Sequence, residues 1–416
     1  MGKAAITIGI ALAALLGTGC GSDESSGGSR TLNWYVFAEP SGAFQEAADN
    51  CTKQSGGRYK VEIVDLPTNA DQQRELVVRR LAAEDDDIDI IGMDVIWTAE
   101  FAEAEWIKQI AGSARSRAER GVLPGPLETA KYKGRLWTIP FTTNTQLLWY
   151  RKDLVKQVPE TWDEMIDEAE RLNTTIQVQS ARYEGLVVWF NSLVASAGGE
   201  IVNDAGEPVL GPPAVQAAEV MQKLATSSAA PPALTNNRED QARLGFESGA
   251  SAFQVNYTFV YASAKSGAET NPEIKKIYDN MGWARWPGVD PGKPSRVTLG
   301  GINLGIGAFS KNPGLATDAA ICLAQPDNQV IAAEKGGLPP TNTALYETEK
   351  IKEAFPFAGL LRDTLADGVP RPVTPAYSDI SLAIQQTLHP PQDIEPQKTI
   401  DDLKSNIDTV SNGGIF

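Results

Sequence analysis

Polar side chains stand at the ends of three predicted strands in the first quarter of the chain. Glu39 follows the first strand, and Thr68 with Asn69 follows the second. Asp94 and Trp97 follow the third. In open parallel sheets, ligands bind beyond the carboxyl ends of the strands, so we expect these side chains to lie at one edge. Carboxylates, amides and an aromatic ring together suit a polyhydroxylated ligand.

Each of these residues also has a more ordinary interpretation, as a helix cap or a turn residue. For Glu39 and Asn69 we regard the cap or turn as the stronger interpretation. Asp94 differs, because Thr98 is the better-placed cap for the helix that follows it. Among the strand ends, Asp94 is therefore the best candidate for ligand binding.

The elements that position these residues alternate between strand and helix patterns. The predicted strands lie at 31–37, 59–66 and 88–93, and the predicted helices at 41–54, 71–84 and 98–110. A β-α-β-α-β-α order implies a parallel sheet with right-handed crossovers. Beyond residue 150 helix patterns outnumber strand patterns, so we predict an α/β protein whose second unit is rich in helices.

The stretch 131–154 joins the two units. It contains two runs of strand-forming residues, 135–141 and 146–150, and Pro140 disfavours an unbroken central strand. We interpret the stretch as a hinge between two lobes, with Asn144 in the cleft between them. The alternative is a hairpin on the surface of one domain, and the pattern alone does not decide between the two.

Glycines indicate two further crossings between the units. Gly300 and Gly301 lie in a strand pattern where the backbone must bend or approach a ligand, and 336–340 reads Gly-Gly-Leu-Pro-Pro. We therefore predict an N-lobe and a C-lobe. Their predicted residues are 31–142 with 301–338, and 143–300 with 339–416, respectively.

The length and the net charge of the chain bound its domain count and the partners it can bind. The chain has 416 residues, enough for two domains, and its formal net charge is −16. It contains no block of lysine and arginine, so we expect no nucleic-acid partner.

The first twenty residues predict export. An apolar run at 4–16 follows Lys3, and the small residues 17–19 precede Cys20. The arrangement resembles the lipobox of bacterial lipoproteins, in which Cys20 would be lipidated, although Gly17 stands where a leucine is usual. The alternative is a plain signal peptide with a coincidental cysteine. We predict a signal peptide at 1–20, a flexible tether at 21–30, and an extracytoplasmic protein anchored to the membrane by lipid.

Two more cysteines remain, Cys51 and Cys322. An oxidising compartment permits a disulfide and the even count allows one, so we predict this bond.

Catalytic and cofactor motifs are sparse. The one histidine, His389, lies beside two prolines, and no cysteine–histidine cluster suggests zinc. No phosphate-binding glycine motif stands at a strand-to-helix turn, so we expect neither a cofactor nor a metal. A glycosidase needs only two carboxylates, and the pair Asp94 and Glu239 keeps that alternative open.

Several motifs resemble the solute-binding proteins of bacterial ABC sugar importers, the maltose-binding class. They are Lys133-Gly-Arg-Leu-Trp-Thr-Ile-Pro-Phe, Pro159-Glu-Thr-Trp-Asp-Glu, Gly198-Gly-Glu-Ile-Val-Asn-Asp-Ala-Gly and Gly337-Leu-Pro-Pro. Within that class the chain is similar to the trehalose-binding lipoproteins of mycobacteria. That similarity rests on Gly92-Met-Asp-Val-Ile-Trp-Thr-Ala-Glu-Phe, Thr142-Thr-Asn-Thr-Gln-Leu-Leu-Trp-Tyr-Arg, Glu184-Gly-Leu-Val-Val-Trp-Phe-Asn and Arg371-Pro-Val-Thr-Pro-Ala-Tyr.

The resemblance implies a type II periplasmic-binding-protein fold, with two lobes, a three-crossing hinge and the ligand in the cleft. It implies a binding protein rather than an enzyme, a monomer that delivers trehalose or a related disaccharide to ABC permease subunits. Maltose and sucrose are the alternative ligands.

The resemblance also assigns site residues. The ligand contacts it implies are Asp94, Asn144, Glu239, Gly301 and Arg371. Tyr257 stands where the family has a tryptophan, and Glu39 stands near the family's loop acid. The family also has cysteines where this chain has Cys51 and Cys322.

Overall fold

The computed structural model describes Gly2, residues 29–203, residues 205–411 and Gly413. The predicted signal peptide with Cys20, apart from Gly2, and most of the predicted tether therefore lie outside the described residues. Within the described ranges, no helix is both long enough and apolar enough to cross a bilayer.

The strands are β1 (Arg30–Phe37), β2 (Tyr59–Leu66), β3 (Ile90–Asp94), β4 (Lys131–Tyr132), β5 (Arg135–Leu136), β6 (Thr138–Asn144), β7 (Gln146–Arg151), β8 (Thr175–Gln177), β9 (Ser251–Tyr257), β10 (Met281–Ala284) and β11 (Gly300–Ile306). The helices are α1 (Ala43–Gln54), α2 (Ala70–Ala82), α3 (Thr98–Glu103), α4 (Gly112–Ala118), α5 (Pro124–Thr129), α6 (Trp162–Arg171), α7 (Glu184–Ser196), α8 (Pro212–Thr226), α9 (Glu239–Glu247), α10 (Phe259–Gly267), α11 (Pro272–Asp279), α12 (Pro313–Leu323), α13 (Pro326–Gly336), α14 (Glu349–Ala354), α15 (Ala358–Ala366), α16 (Tyr377–Leu388) and α17 (Pro396–Ser411).

The N-lobe is built on a five-stranded sheet in the order β2-β1-β3-β11-β6. Strand β1 is parallel to β2 and β3, because a helix connects each consecutive pair, whereas β11 is antiparallel to both of its neighbours. The predicted parallel β-α-β-α-β start is confirmed. Apolar side chains fill one face of the sheet, where Trp34, Phe44 and Phe141 are in ring contact.

The C-lobe is built on a four-stranded sheet in the order β10-β7-β9-β8. Its larger apolar cluster gathers residues of α6, α7, α8, α16 and α17, and includes the packed rings of Trp162, Trp189 and Trp286. Short strands surrounded by many helices agree with the prediction of a helix-rich second unit. The two sheets give the α/β fold two lobes.

The disulfide prediction is confirmed. Cys51 of α1 and Cys322 of α12 are bonded, with their Cα atoms 5.8 Å apart. Helix α12 follows β11, so the chain has by then returned to the N-lobe from the C-lobe. The bond consequently ties the first helix of the N-lobe to the segment that completes it.

The first crossing is one residue long. Strand β6 ends at Asn144 in the N-lobe sheet, and β7 begins at Gln146 in the C-lobe sheet. The alternative of a surface hairpin within one domain is therefore wrong. Pro140 is accommodated because β6 is an edge strand, and the ladder with β11 is irregular next to it.

The other two crossings lie beside the first. Strand β11 begins at Gly300, opposite Asn144. After α13, the Gly337 carbonyl accepts a hydrogen bond from Thr258 Oγ1 at 2.8 Å, and the Pro339 carbonyl accepts one from the Thr143 N–H at 2.9 Å. Both lobes contact these crossing segments, so the contacts do not decide to which lobe each segment belongs. The lobe boundaries given above therefore stay a prediction.

Candidate functional site

A cavity of about 510 Å³ lies between the two sheets. Elements of the N-lobe contribute Phe37, Thr68, Asn69, Ala70, Asp71, Gln73, Gly92, Asp94, Thr142, Thr143, Asn144, Gly300, Gly301, Ile302 and Leu338. Elements of the C-lobe contribute Tyr183, Glu184, Gly185, Val188, Arg238, Glu239, Asp240, Gln241, Tyr257, Phe259 and Arg371. Polar and charged residues from both lobes therefore line one partly open cleft.

All three predicted strand ends reach this cavity, the first of them through Phe37 and the other two through polar side chains. Asn69 both lines it and caps α2, with its side chain accepting from the Gln72 N–H at 3.1 Å. Asp94 lines it as well, and its Oδ1 accepts from the Ile96 N–H at 3.2 Å. Asp94 thus caps a 3₁₀ turn, Val95–Trp97, that the sequence did not predict. The expectation that Thr98 is the cap was wrong, since Thr98 is the first residue of α3.

Glu39 and Trp97 are not among the cavity-lining residues. The Glu39 carboxylate accepts from the backbone N–H groups of Ser41 (2.9 Å) and Ala43 (3.0 Å), and so caps the start of α1. Trp97 is 1% exposed and stacks on Phe101 within an apolar cluster of the N-lobe. In this structure the two side chains serve as a helix cap and a core residue, and their roles as ligand contacts stay a prediction.

The hinge contributes unsatisfied polar groups to the cavity wall. Asn144 Oδ1 and Thr142 Oγ1 are buried and have no hydrogen-bond partner in the described residues. Beside them, Gly301 has φ of 130°, and a Cβ atom there would lie 2.3 Å from the Thr142 carbonyl oxygen. Only glycine fits this position, because the backbone of β6 occupies the space that a side chain would need. Buried polar atoms without partners cost free energy.

The C-lobe wall combines an acid with two tyrosines. Glu239 is the first residue of α9, Tyr257 is the last of β9, and Tyr183 precedes α7. Burial raises the pKa of the half-buried Glu239 carboxyl, and a hydrogen bond from its own backbone N–H opposes part of that shift. Burial and the charge of Glu239 raise the pKa of Tyr257 as well, so its hydroxyl stays protonated. The wall therefore offers an acceptor, a donor and two aromatic faces.

Arg371 connects the two lobes. It lies in the loop before α16 and is 6% exposed. Its Nη1 donates to Glu184 Oε1 of the C-lobe at 2.7 Å, and its Nη2 donates to Asp94 Oδ1 of the N-lobe at 3.1 Å. Its Nε is buried without a partner in the part of the chain that the structure describes. Of the five N–H groups of the guanidinium, two donate to these carboxylates, and the Nε–H is among those left to donate.

Sequence reasoning missed several residues of the cavity wall, above all Glu184, Tyr183, Asp71 and Arg238. The Arg238 guanidinium lies 4.7 Å from the centroid of the Tyr183 ring. Glu184 was visible only as the acidic start of a predicted helix, which is an ordinary position for an acid. None of these residues carries a local signal that distinguishes it from a surface charge.

Tryptophans are absent from the wall. All nine tryptophans of the chain lie in the described ranges, and none of them lines the cavity. The lining aromatic residues are Phe37, Tyr183, Tyr257 and Phe259. Over the same ranges, no group of three or more His, Cys, Asp and Glu side chains could hold a metal ion.

Comparison with known proteins identifies the family. Residues 37–330 match the family model described as bacterial extracellular solute-binding protein. A probable ABC transporter-binding protein of Deinococcus radiodurans is 30% identical over 368 residues, which cover 83% of this chain and 84% of the relative. The diacetylchitobiose-binding protein DasA of Streptomyces coelicolor is 25% identical over 247 residues, 56% of each chain.

A solved structure shares the two-lobed architecture. The maltose-bound MalE3 of T. maritima superposes with a TM-score of 0.82 and 28% identity, covering 91% of this chain and 99% of that one. The family consists of solute-binding proteins and not of enzymes, so the glycosidase alternative for Asp94 and Glu239 is excluded. The chain belongs to the bacterial extracellular solute-binding proteins, as an extracytoplasmic sugar-binding component of an ABC transporter of the maltose-binding class.

Proposed function

We propose that this protein captures trehalose or a related disaccharide and delivers it to ABC permease subunits, acting as a monomer anchored to the membrane by a lipid on Cys20. The observation that carries the proposal is the cavity between the lobes, whose polar groups come from both sides. A ligand that bonds both walls at once favours the closed arrangement of the lobes, which is how a binding protein signals occupancy.

The size of the cavity fits a small sugar. Its volume of about 510 Å³ lies within the range of ~300–1,000 Å³ that is common for small-molecule sites. The names of two relatives, one binding diacetylchitobiose and one holding maltose, point to disaccharides. The sequence similarity to trehalose-binding lipoproteins favours trehalose among them, and maltose and sucrose are the alternatives.

The proposed contacts follow from hydrogen-bonding capacity. Asp94 and Glu239 accept bonds from sugar hydroxyls, and Arg371 donates through its free Nε. Asn144 supplies the unsatisfied amide oxygen, and Tyr257 offers a ring face to the C–H face of a pyranose. Gly301 lines the cavity with its backbone, and we place it in the contact set on that ground. Glu39 and Trp97 are left out of this set, since other contacts occupy them.

Titration calorimetry tests the proposal. The protein without its predicted signal peptide is titrated with trehalose, and with maltose and sucrose in parallel. We expect trehalose to bind with a Kd of about 1 µM or tighter, equivalent to ~8 kcal/mol, and the other two sugars to bind more weakly. Equal binding of all three would indicate a broader disaccharide importer. No heat with any of them would refute the disaccharide assignment.

A separate experiment tests the anchor. Mass spectrometry of the protein from a lipoprotein-processing host should show a diacylglyceryl modification that disappears in Cys20→Ser. An unmodified N-terminus in both proteins would contradict the lipid anchor and leave the sugar assignment unaffected.

A further inference from the structure

A buried carboxylate, Glu184, accepts a hydrogen bond from the arginine that joins the two lobes. We infer that Glu184 is a positioning residue, which holds the Arg371 guanidinium in the cavity and towards Asp94 without itself contacting the sugar. The inference rests on the proposed function in so far as Arg371 is a sugar contact. It adds a residue whose effect on ligand affinity passes entirely through another side chain.

The bonds of Glu184 leave it little capacity for a ligand. Its Oε1 accepts from Arg371 Nη1 at 2.7 Å and from the Tyr377 hydroxyl, and its Oε2 accepts from Ser381 Oγ at 2.5 Å. The residue is 7% exposed. Although Glu184 lines the cavity, both of its oxygens are already engaged by protein donors. It can therefore orient another group but is poorly placed to receive a sugar hydroxyl.

The position of Arg371 depends on that carboxylate. Arg371 lies in the loop between α15 and α16, flanked by prolines at 370 and 372, so no helix or strand fixes its side chain. By contrast, Glu184 opens α7, and Tyr377 and Ser381 lie one turn apart on α16. Two helices thus fix Glu184, and Glu184 fixes the guanidinium.

The planar geometry of the guanidinium fixes the directions in which the N–H groups of Arg371 donate. While Nη1 is bound to Glu184, Nη2 points to Asp94 Oδ1 at 3.1 Å, and Nε faces no protein acceptor in the described residues. A planar guanidinium cannot change one of these directions without changing the others. Loss of the Glu184 bond therefore disturbs both the contact to the N-lobe and the donor that is left for the ligand.

The electrostatic environment agrees with this role. Burial raises the pKa of Glu184, and Arg371 opposes that shift most strongly, followed by bonds from Ser381 and Tyr377. The Arg371 guanidinium thus favours the charged form of the buried Glu184 carboxyl, against the effect of burial. Replacing either residue by a neutral one leaves the other without its ion-pair partner.

The chain offers a matched control for the experiment. Glu247 of α9 is 5% exposed and accepts from Arg243 Nη1 at 2.6 Å, but it does not line the cavity. Glu184→Gln and Glu247→Gln therefore remove the same charge from two comparably buried carboxylates, although Arg243 is 18% exposed and Arg371 only 4%. A merely structural role for Glu184 predicts the same consequences for both variants.

Calorimetry with trehalose gives the first readout. We expect Glu184→Gln to weaken binding by about tenfold to a hundredfold, as for losing one charge-assisted hydrogen bond, and Glu247→Gln to leave affinity unchanged. In the Arg371→Ala background, Glu184→Gln should cause no further loss of affinity. A loss that persists in that background would overturn the inference, because Glu184 would then act on the sugar directly.

Nitrogen-15 NMR of the arginine side chains in the ligand-free protein gives a second readout. We expect restricted rotation of the Arg371 guanidinium, with separate Nη signals, in the wild type and in Glu247→Gln. The signals should merge in Glu184→Gln. If trehalose does not bind the wild type, the proposed function fails while this measurement still decides the inference. Unchanged Arg371 signals in Glu184→Gln would refute it.

Discussion

Alanine substitution of the two partners in the inter-lobe ion pair should separate binding from folding. Arg371 and Asp94 both face the cavity and share a 3.1 Å contact, but their surroundings differ. The Arg371 side chain is 4% exposed and also serves Glu184, whereas the Asp94 side chain is 25% exposed. We therefore expect similar losses of trehalose affinity and unequal losses of stability.

The magnitudes follow from burial. Removing either partner of a buried charged contact to a ligand costs about 2–5 kcal/mol of binding. For folding, Arg371→Ala leaves the Glu184 carboxylate buried without its counter-ion, a change that typically costs ~3–5 kcal/mol. Asp94→Ala breaks a partly solvated ion pair and removes the cap of a short turn. Together these losses cost about 1–2 kcal/mol of folding stability.

The assay combines calorimetry with urea unfolding of the same preparations. Both variants should lose trehalose binding by more than about thirtyfold, which corresponds to ~2 kcal/mol. Arg371→Ala should also unfold at a clearly lower urea concentration than Asp94→Ala. Equal stability of the two variants would refute the reasoning, because the buried Glu184 carboxylate would then not need Arg371 as its counter-ion. Normal binding by Arg371→Ala would remove it from the ligand site.

Three further predictions concern pH, charge and the disulfide. Since burial raises the pKa of Glu239, trehalose affinity should fall on acidification at a pH above the usual range of a glutamate, as this acceptor is protonated, and calorimetry of Glu239→Gln should show a flatter profile. Trehalose 6-phosphate should bind more weakly than trehalose in the same titration, because five carboxylates and two guanidinium groups line the cavity. The double variant Cys51→Ser with Cys322→Ser should lose about 2–5 kcal/mol of stability in urea unfolding without loss of sugar affinity.

Much of the fold follows from local patterns. The alternation of strand and helix residues over 31–110 predicts the parallel part of the N-lobe sheet, because a short crossover helix leaves few other arrangements. The polar break after Phe141 marks the first crossing, although the pattern alone could not exclude a surface hairpin. That choice depends on which sheet receives β7, and pairing partners such as β9 lie a hundred residues away.

The site was predictable where a backbone element aims the side chain. Asp94 ends a strand at the ligand edge, and Asn144 ends the strand that enters the hinge. Glu39 and Trp97 also follow strand ends. In the structure, however, Glu39 caps a helix and Trp97 packs in the core. Whether a side chain after a strand end faces outward depends on a turn of a few residues, which periodicity does not reveal.

The Glu184–Arg371 pair could not be predicted at all from spacing. Its members are 187 positions apart, on different elements, and each is an ordinary charged residue in its own segment. Only the tertiary packing of α7 against α16 brings them together. Long-range buried pairs of this kind carry no periodic signal, although they decide the geometry of the site.

The most direct test of the account is a crystal structure of the protein grown with trehalose. We expect one disaccharide between the lobes, within hydrogen-bonding distance of Asp94 and Asn144 on one side and of Glu239 on the other. The Arg371 Nε should donate to the sugar while Nη1 stays on Glu184. A sugar that contacts a single lobe, or an empty cavity in crystals of protein that binds trehalose in solution, would contradict the account.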